Sequence, residues 1–179
     1  VEAWPNGFVR VRDASAIPFM LVEQGQPAAK FVVGSQSELV RNAVDWISVF
    51  VREKTGAELK IVNAAKAGAR QVVVAVGDDP VVAELRSAGL ELDPRVGPEG
   101  FVLQRVRDPA HGDLLVCWSP TELGCRYGLI ELLRTLRVRG QDVATDVARV
   151  VERPQFPVRI CYVNFAEHLQ NAFNPNVLF

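Results

Sequence analysis

A chain of 179 residues that is 49% hydrophobic and 23% charged can bury one proper core, so one domain of about 100–150 residues with extensions is expected. Its formal charge of -1, without any run of Lys and Arg, offers no basic field to nucleic acid or to a membrane surface. Its apolar stretches are broken by charge within about ten residues, well short of the roughly 20 that span a bilayer, so neither nucleic acid nor a membrane is an expected partner.

The chain opens Val1-Glu2-Ala3-Trp4-Pro5, with no methionine, basic segment or apolar leader, and is expected to be processed or cut from a longer one. Its compartment stays open between secreted, periplasmic and cytoplasmic. Residues 1–29 read as an N-terminal extension or an edge hairpin, with short apolar runs at Phe8–Val11 and Phe19–Val22. A compact strand, Phe31-Val32-Val33, ends at Gly34, and Ser35-x-x-Glu38 forms a capping box that predicts a helix over 36–55. Leu39, Ala43, Ile47, Phe50 and Val51, with Val40 and Val44, make its apolar face, and Gly56 stops it. Leu59–Val62 reads as a strand, and the β-branched run Gln71–Val76 as a central strand covered on both faces.

Gly77-Asp78-Asp79-Pro80 turns into a short helix over about 80–88. Phe101–Val106 and Asp113–Cys117 form an antiparallel hairpin. Ser119-Pro120-Thr121-Glu122 then starts a second long helix, with Ser119 as cap and proline at the first helical position. Leu123, Tyr127, Ile130 and Leu133, with Leu129, Leu132 and Leu136, mark its apolar face, and Arg134, Arg137 and Arg139 suit the dipole at its end. Residues 141–153 look like a short strand or connector. Since each long helix must bury one stripe, the order predicts an α+β fold: a mixed, largely antiparallel sheet of four to five strands with two long helices on one face. The accessory domain is placed at 30–150, with residues 151–179 beyond it as a separate segment.

Catalytic chemistry is sparse. No phosphate-binding glycine motif or nucleophile elbow occurs, and nothing calls for a cofactor. The two histidines, His111 and His168, lack metal-ligand spacing, so no metal is expected. Cys117, Cys125 and Cys161 sit in apolar patterns and read as buried small hydrophobes. The pairs Asp78/Asp79 and Asp142/Asp146 have the residue type for acid–base work on a sugar but read as solvated loop residues, so no catalytic residue is named. Gly124-x-x-x-Gly128 implies close packing of another element on the second long helix.

Taken in order, the strand at 31–34, the helix ending Lys54-Thr55-Gly56-Ala57-Glu58-Leu59, the turn and strand Gly97-Pro98-Glu99-Gly100-Phe101-Val102-Leu103, and Gly124-Cys125-Arg126-Tyr127-Gly128-Leu129-Ile130-Glu131-Leu132-Leu133 form a familiar set. Over about residues 30–165 the chain resembles the small α+β domain that precedes the catalytic barrel in β-N-acetylhexosaminidases and xylan α-glucuronidases. The resemblance implies that residues 151–179 are the linker and first strand of a truncated (β/α)8 barrel. Pro154, Phe156 and Arg159 match the hexosaminidase run Pro-Arg-Phe-x-x-Arg-Gly, whose second arginine binds sugar hydroxyls. Gln155 and Ile160 depart from it. Asn164 stands where aspartate is usual, and His168 where histidine is frequent. By the same resemblance Arg159, Asn164 and His168 are candidate substrate-binding residues, with a structural role for Arg159 the other reading. The implied partners are the catalytic barrel of the same polypeptide and, in the full-length protein, a carbohydrate substrate. The implied function is a noncatalytic accessory domain of a glycoside hydrolase. A free-standing ligand-binding or protein-interaction module is the alternative.

Overall fold

The computed structural model describes residues 1–3, 8–12, 17–64, 69–108 and 112–154. The fold is α+β and built on a mixed sheet, but with more strands than the hydropathy pattern announces. Three strands run parallel: β5 (Ala29–Val33), β7 (Arg70–Val76) and β9 (Gly112–Ser119). The short β6 (Ile61–Val62) pairs parallel with β5 at one edge. On the other side β8 (Phe101–Asp108) pairs antiparallel with β9, then come β12 (Val147–Glu152), β2 (Phe8–Arg12) and β1 (Glu2–Ala3). The result is an eight-stranded sheet ordered β1-β2-β12-β8-β9-β7-β5-β6. A second, four-stranded sheet comprises β10 (Arg137–Arg139), β11 (Asp142–Thr145), β3 (Phe19–Glu23) and β4 (Gln26–Pro27), in that order.

Four to five strands is thus an underestimate, and the reason is pairing at long range. Phe8–Arg12 and Phe19–Glu23 do not form a hairpin with each other. The first pairs with β12 and the second with β11, each more than a hundred residues along the chain. Nothing local in a five-residue apolar run says where its partner lies.

Parallel strands need crossovers, and the helices supply them. The two long helices α1 (Glu38–Thr55) and α3 (Glu122–Thr135) do share one face of the sheet, burying Val40, Ala43, Val44, Ile47 and Val51 from α1 and Cys125, Leu129 and Leu132 from α3. Phe19, Leu21 and Val143 of the second sheet enter this same core. The short α2 (Pro80–Ser87) covers the opposite face through Val82 and Leu85. β7 shows both sides of the arrangement: Val72 and Val74 face the long helices, whereas Val73 and Ala75 face α2. Its doubly covered position is the one its β-branched run predicts.

Helix ends differ from the expected caps by two residues. α1 begins after Ser37, while Ser35 Oγ accepts the Ser37 N–H at 3.1 Å in a local turn. α3 is capped by Thr121, whose Oγ1 accepts the Gly124 N–H at 3.2 Å. Ser119, the expected cap, is instead the buried last residue of β9. Both sites offer two hydroxyls two residues apart, and the second, in extended backbone next to the first helical residue, holds the N-cap position; Thr121 makes a side-chain cap bond there and Ser37 does not. The end of α1 is as expected, with Gly56 at φ +76° donating to the Arg52 carbonyl. Arg137 and Arg139 do not serve the α3 dipole, because the helix stops at Thr135 and both lie on β10. Leu39 also leaves the core face assigned to it and stands exposed.

Candidate functional site: the clamped chain exit

Where β12 ends, the chain leaves the sheet through Arg153 and Pro154, and three local structures converge there. The first is the turn at Gly97-Pro98-Glu99-Gly100, closed by a hydrogen bond from the Gly100 N–H to the Gly97 carbonyl at 2.9 Å. A side chain at Gly100 would sit 2.5 Å from the Glu152 carbonyl oxygen and 3.2 Å from Pro154 Cδ, so the turn lies directly against the departing chain.

The N-terminus of α3 grips that turn from the other side. Ser119 Oγ donates to the Gly100 carbonyl at 2.7 Å, and Thr121 Oγ1 donates to the Pro98 carbonyl. The helix can come this close because Gly124 has no side chain: a Cβ there would meet Ser119 Oγ at 2.0 Å and the Gly100 oxygen at 2.3 Å. Gly128, one turn on, lies over Cys117 Sγ and the Phe101 ring, where a Cβ would be at 2.6 and 3.1 Å. The paired glycines are packing residues, as their spacing implies.

The third element is ionic. Asp93, 7% exposed, accepts hydrogen bonds from the Arg95 side chain at 3.2 Å and from the Arg95 backbone N–H at 2.9 Å. Its Oδ2 also accepts from Arg153, the last residue before Pro154. Hydrogen bonds from the Arg95 side chain, then its backbone N–H and the Arg153 guanidinium, hold the Asp93 carboxyl well below the usual carboxylate range, against the opposing effect of burial. Asp93 and Arg153 are 60 residues apart, and no sequence motif points to either; only Asp93-x-Arg95, a local turn pattern, signals half of the arrangement.

The residues named from the resemblance, Arg159, Asn164 and His168, lie outside the described residues, as do His111 and Cys161. Asp79 is occupied, its Oδ1 accepting the Val81 N–H at 3.0 Å at the start of α2. Asp142 Oδ1 accepts the Gln24 N–H at 2.6 Å, and Asp146 pairs with Arg137 at 3.0 Å. Cys117 and Cys125 are fully buried, and the Cys125 neighbour, then burial, pushes the Cys117 thiol well above its ordinary range. Among the described residues no group of His, Cys, Asp or Glu is placed to hold a metal ion, and no helix is long and apolar enough to cross a membrane.

The solvent side of α1 has one further feature. Leu39, Trp46 and Val49 recur at seven and three residues, share a helix face, and are all exposed. The Arg126 guanidinium of α3 lies over the Trp46 ring at 5.3 Å.

No family model matches the chain, and no curated protein matches it. Solved structures do. The structure of CpGH84D superposes with a TM-score of 0.55 at 14% identity, over 86% of this chain and 24% of that one. The Flavobacterium johnsoniae chitobiase FjGH20 gives 0.53 at 16% identity, over 92% of this chain and 22% of that one. The 4-O-methyl-α-glucuronidase BtGH115A gives 0.48 at 24% identity, over 64% of this chain and 14% of that one. The chain therefore has a fold that recurs within glycoside hydrolases, as its ordered motifs imply. It spans less than a quarter of each of these three proteins.

Proposed function

We propose that this chain is a noncatalytic accessory domain of a carbohydrate-active glycoside hydrolase, which packs against a catalytic (β/α)8 barrel of the same polypeptide and supports it. The observation that carries the reading is the clamped exit. A free linker would merely tether the next domain, whereas Pro154 leaves from a point held by the Asp93–Arg153 pair, the Gly100 turn and the capped end of α3. Such an exit orients its neighbour, which is what a supporting domain requires. The exposed Leu39, Trp46 and Val49 face offers the apolar surface on which a barrel would rest. Arg159, with Asn164 and His168, then contributes to sugar binding from the first barrel strand, the guanidinium fork matching paired hydroxyl oxygens and the strand's C-terminal end being where barrel sites form.

The test compares the 179-residue chain with the longer polypeptide that contains it, on a panel of aryl glycosides. The longer protein is expected to hydrolyse at least one of them and the chain alone none. Turnover by the chain alone, or a longer polypeptide inert on every glycoside, overturns the reading.

A further inference from the structure

At the end of the molecule remote from the chain exit, a groove runs between the two sheets. Its two lobes, of about 160 and 190 Å³, share Pro18 and Asp146. Met20 and Ala144, with the exposed Ile17 and Pro18, give it an apolar lining, and arginines from two strands stand around it: Arg105 and Arg107 from β8, Arg137 and Arg139 from β10. The carboxylates nearby are engaged. Asp113 takes the Arg105 fork at 2.7 and 2.6 Å, Asp146 pairs with Arg137, and Asp142 accepts the Gln24 N–H. Arg107 and Arg139 are exposed, one beside each lobe, and neither has an ion-pair partner among the described residues. Two unneutralised guanidinium groups beside an apolar lining stand out on a chain whose net charge is -1.

We propose that this groove binds an extended acidic peptide segment of a protein partner, with two carboxylates reaching Arg107 and Arg139. Charge complementarity selects the sign, since a guanidinium fork is matched bidentately by a carboxylate. The extended form comes from the two lobes themselves, which share Pro18 and Asp146 and have one free arginine each among the described residues, the second lobe lying on the face of its sheet across β3, β11 and the edge strand β10. Charges on an edge strand also discourage indiscriminate pairing, which accounts for Arg137 and Arg139. That does not account for Arg107, which belongs to a strand with neighbours on both sides. A glycan fits less well, because the lining is aliphatic and no aromatic ring among the described residues lines the groove for a sugar to stack on.

The probe is a fluorescein-labelled peptide of alternating glutamate and valine, titrated with the full 179-residue chain in a polarisation assay. Saturable binding is expected that weakens about tenfold from roughly 50 to 500 mM NaCl and is lost with a lysine–valine peptide. R107E/R139E should weaken it by about tenfold or more, R107Q/R139Q by less, and R86E on α2 should leave it unchanged. Thermal unfolding of each variant confirms that it is folded. Amide chemical-shift changes are expected at Met20, Ala144 and Val138. The proposal is overturned by absence of saturable binding, by binding indifferent to both double variants, or by polygalacturonate displacing the peptide at lower concentration than free peptide does. None of these outcomes bears on the accessory-domain reading, which is tested by glycoside turnover.

Discussion

Asp93 is a buried carboxylate whose two arginine partners make it the ionic part of the chain exit. In the unfolded chain it titrates near the ordinary value of about 3.9, and in the folded protein well below that. As pH falls, the unfolded state takes up a proton first, so the stabilisation is fully present above about pH 5 and is lost progressively in more acid solution. Asp93→Asn should therefore cost about 2 kcal/mol in urea unfolding at about pH 7 and markedly less near pH 2.5. A deficit that stays constant across that range would mean the charge is not its source. The glycines argue the same way from sterics. Gly124→Ala places a Cβ against the Gly100 carbonyl, which is backbone and cannot swing aside, and should cost about 2–4 kcal/mol. Gly56→Ala meets open space and is penalised only for its positive φ, about 1 kcal/mol. Chemical denaturation of the two variants side by side should separate them clearly, and equal losses would remove the case for close approach at α3.

At the scale of elements, α1 does two jobs with two faces. Val40, Val44, Ile47 and Val51 bury into the core, and Ile47→Ala should cost about 2–5 kcal/mol through lost burial and a residual cavity. Trp46 is half-exposed on another face, under the Arg126 guanidinium, so Trp46→Ser in the isolated chain should cost only about 1 kcal/mol. In a longer polypeptide the same substitution should cost more than about 2 kcal/mol if a barrel covers that face. Equal, small effects in both contexts would show that the stripe stays in water. The helices were legible in the sequence because periodicity and stop signals are local: Gly56, the apolar repeat of α1 and the Ser119–Glu122 start signal, although its cap falls two residues later than Ser119, all lie within one or two turns of the residues they govern. Leu39 shows the limit of that legibility, since a residue at the rim of an apolar stripe can fall on either side of the burial boundary. The short strands show another limit. Phe8–Arg12 and Arg137–Arg139 become strands only through pairing, and composition carries no record of which partner each will take. The Asp93–Arg153 pair was unreadable for the same reason.

At the scale of the whole molecule, one end clamps the departing chain and the other carries the groove. The exit sits beside the start of β8 and the end of β9, and the arginine-lined groove lies at the far end of the same sheet. If the proposed barrel follows Pro154, an exit that steers its orientation separates support from mere tethering. In the longer polypeptide, Arg153→Ala removes one anchor while leaving the core intact. Glycoside turnover should then fall about tenfold or more if domain orientation shapes the site, with unfolding of the isolated chain shifted by only about 1–2 kcal/mol. Arg159→Ala should act differently, lowering kcat/KM by about 10–100-fold through lost hydrogen bonds to the sugar, with no change in the stability of residues 1–154. If Arg153→Ala leaves turnover at the native level, the exit holds the chain without steering its neighbour. If Arg159→Ala is silent on every cleaved glycoside, that arginine has no part in binding sugar.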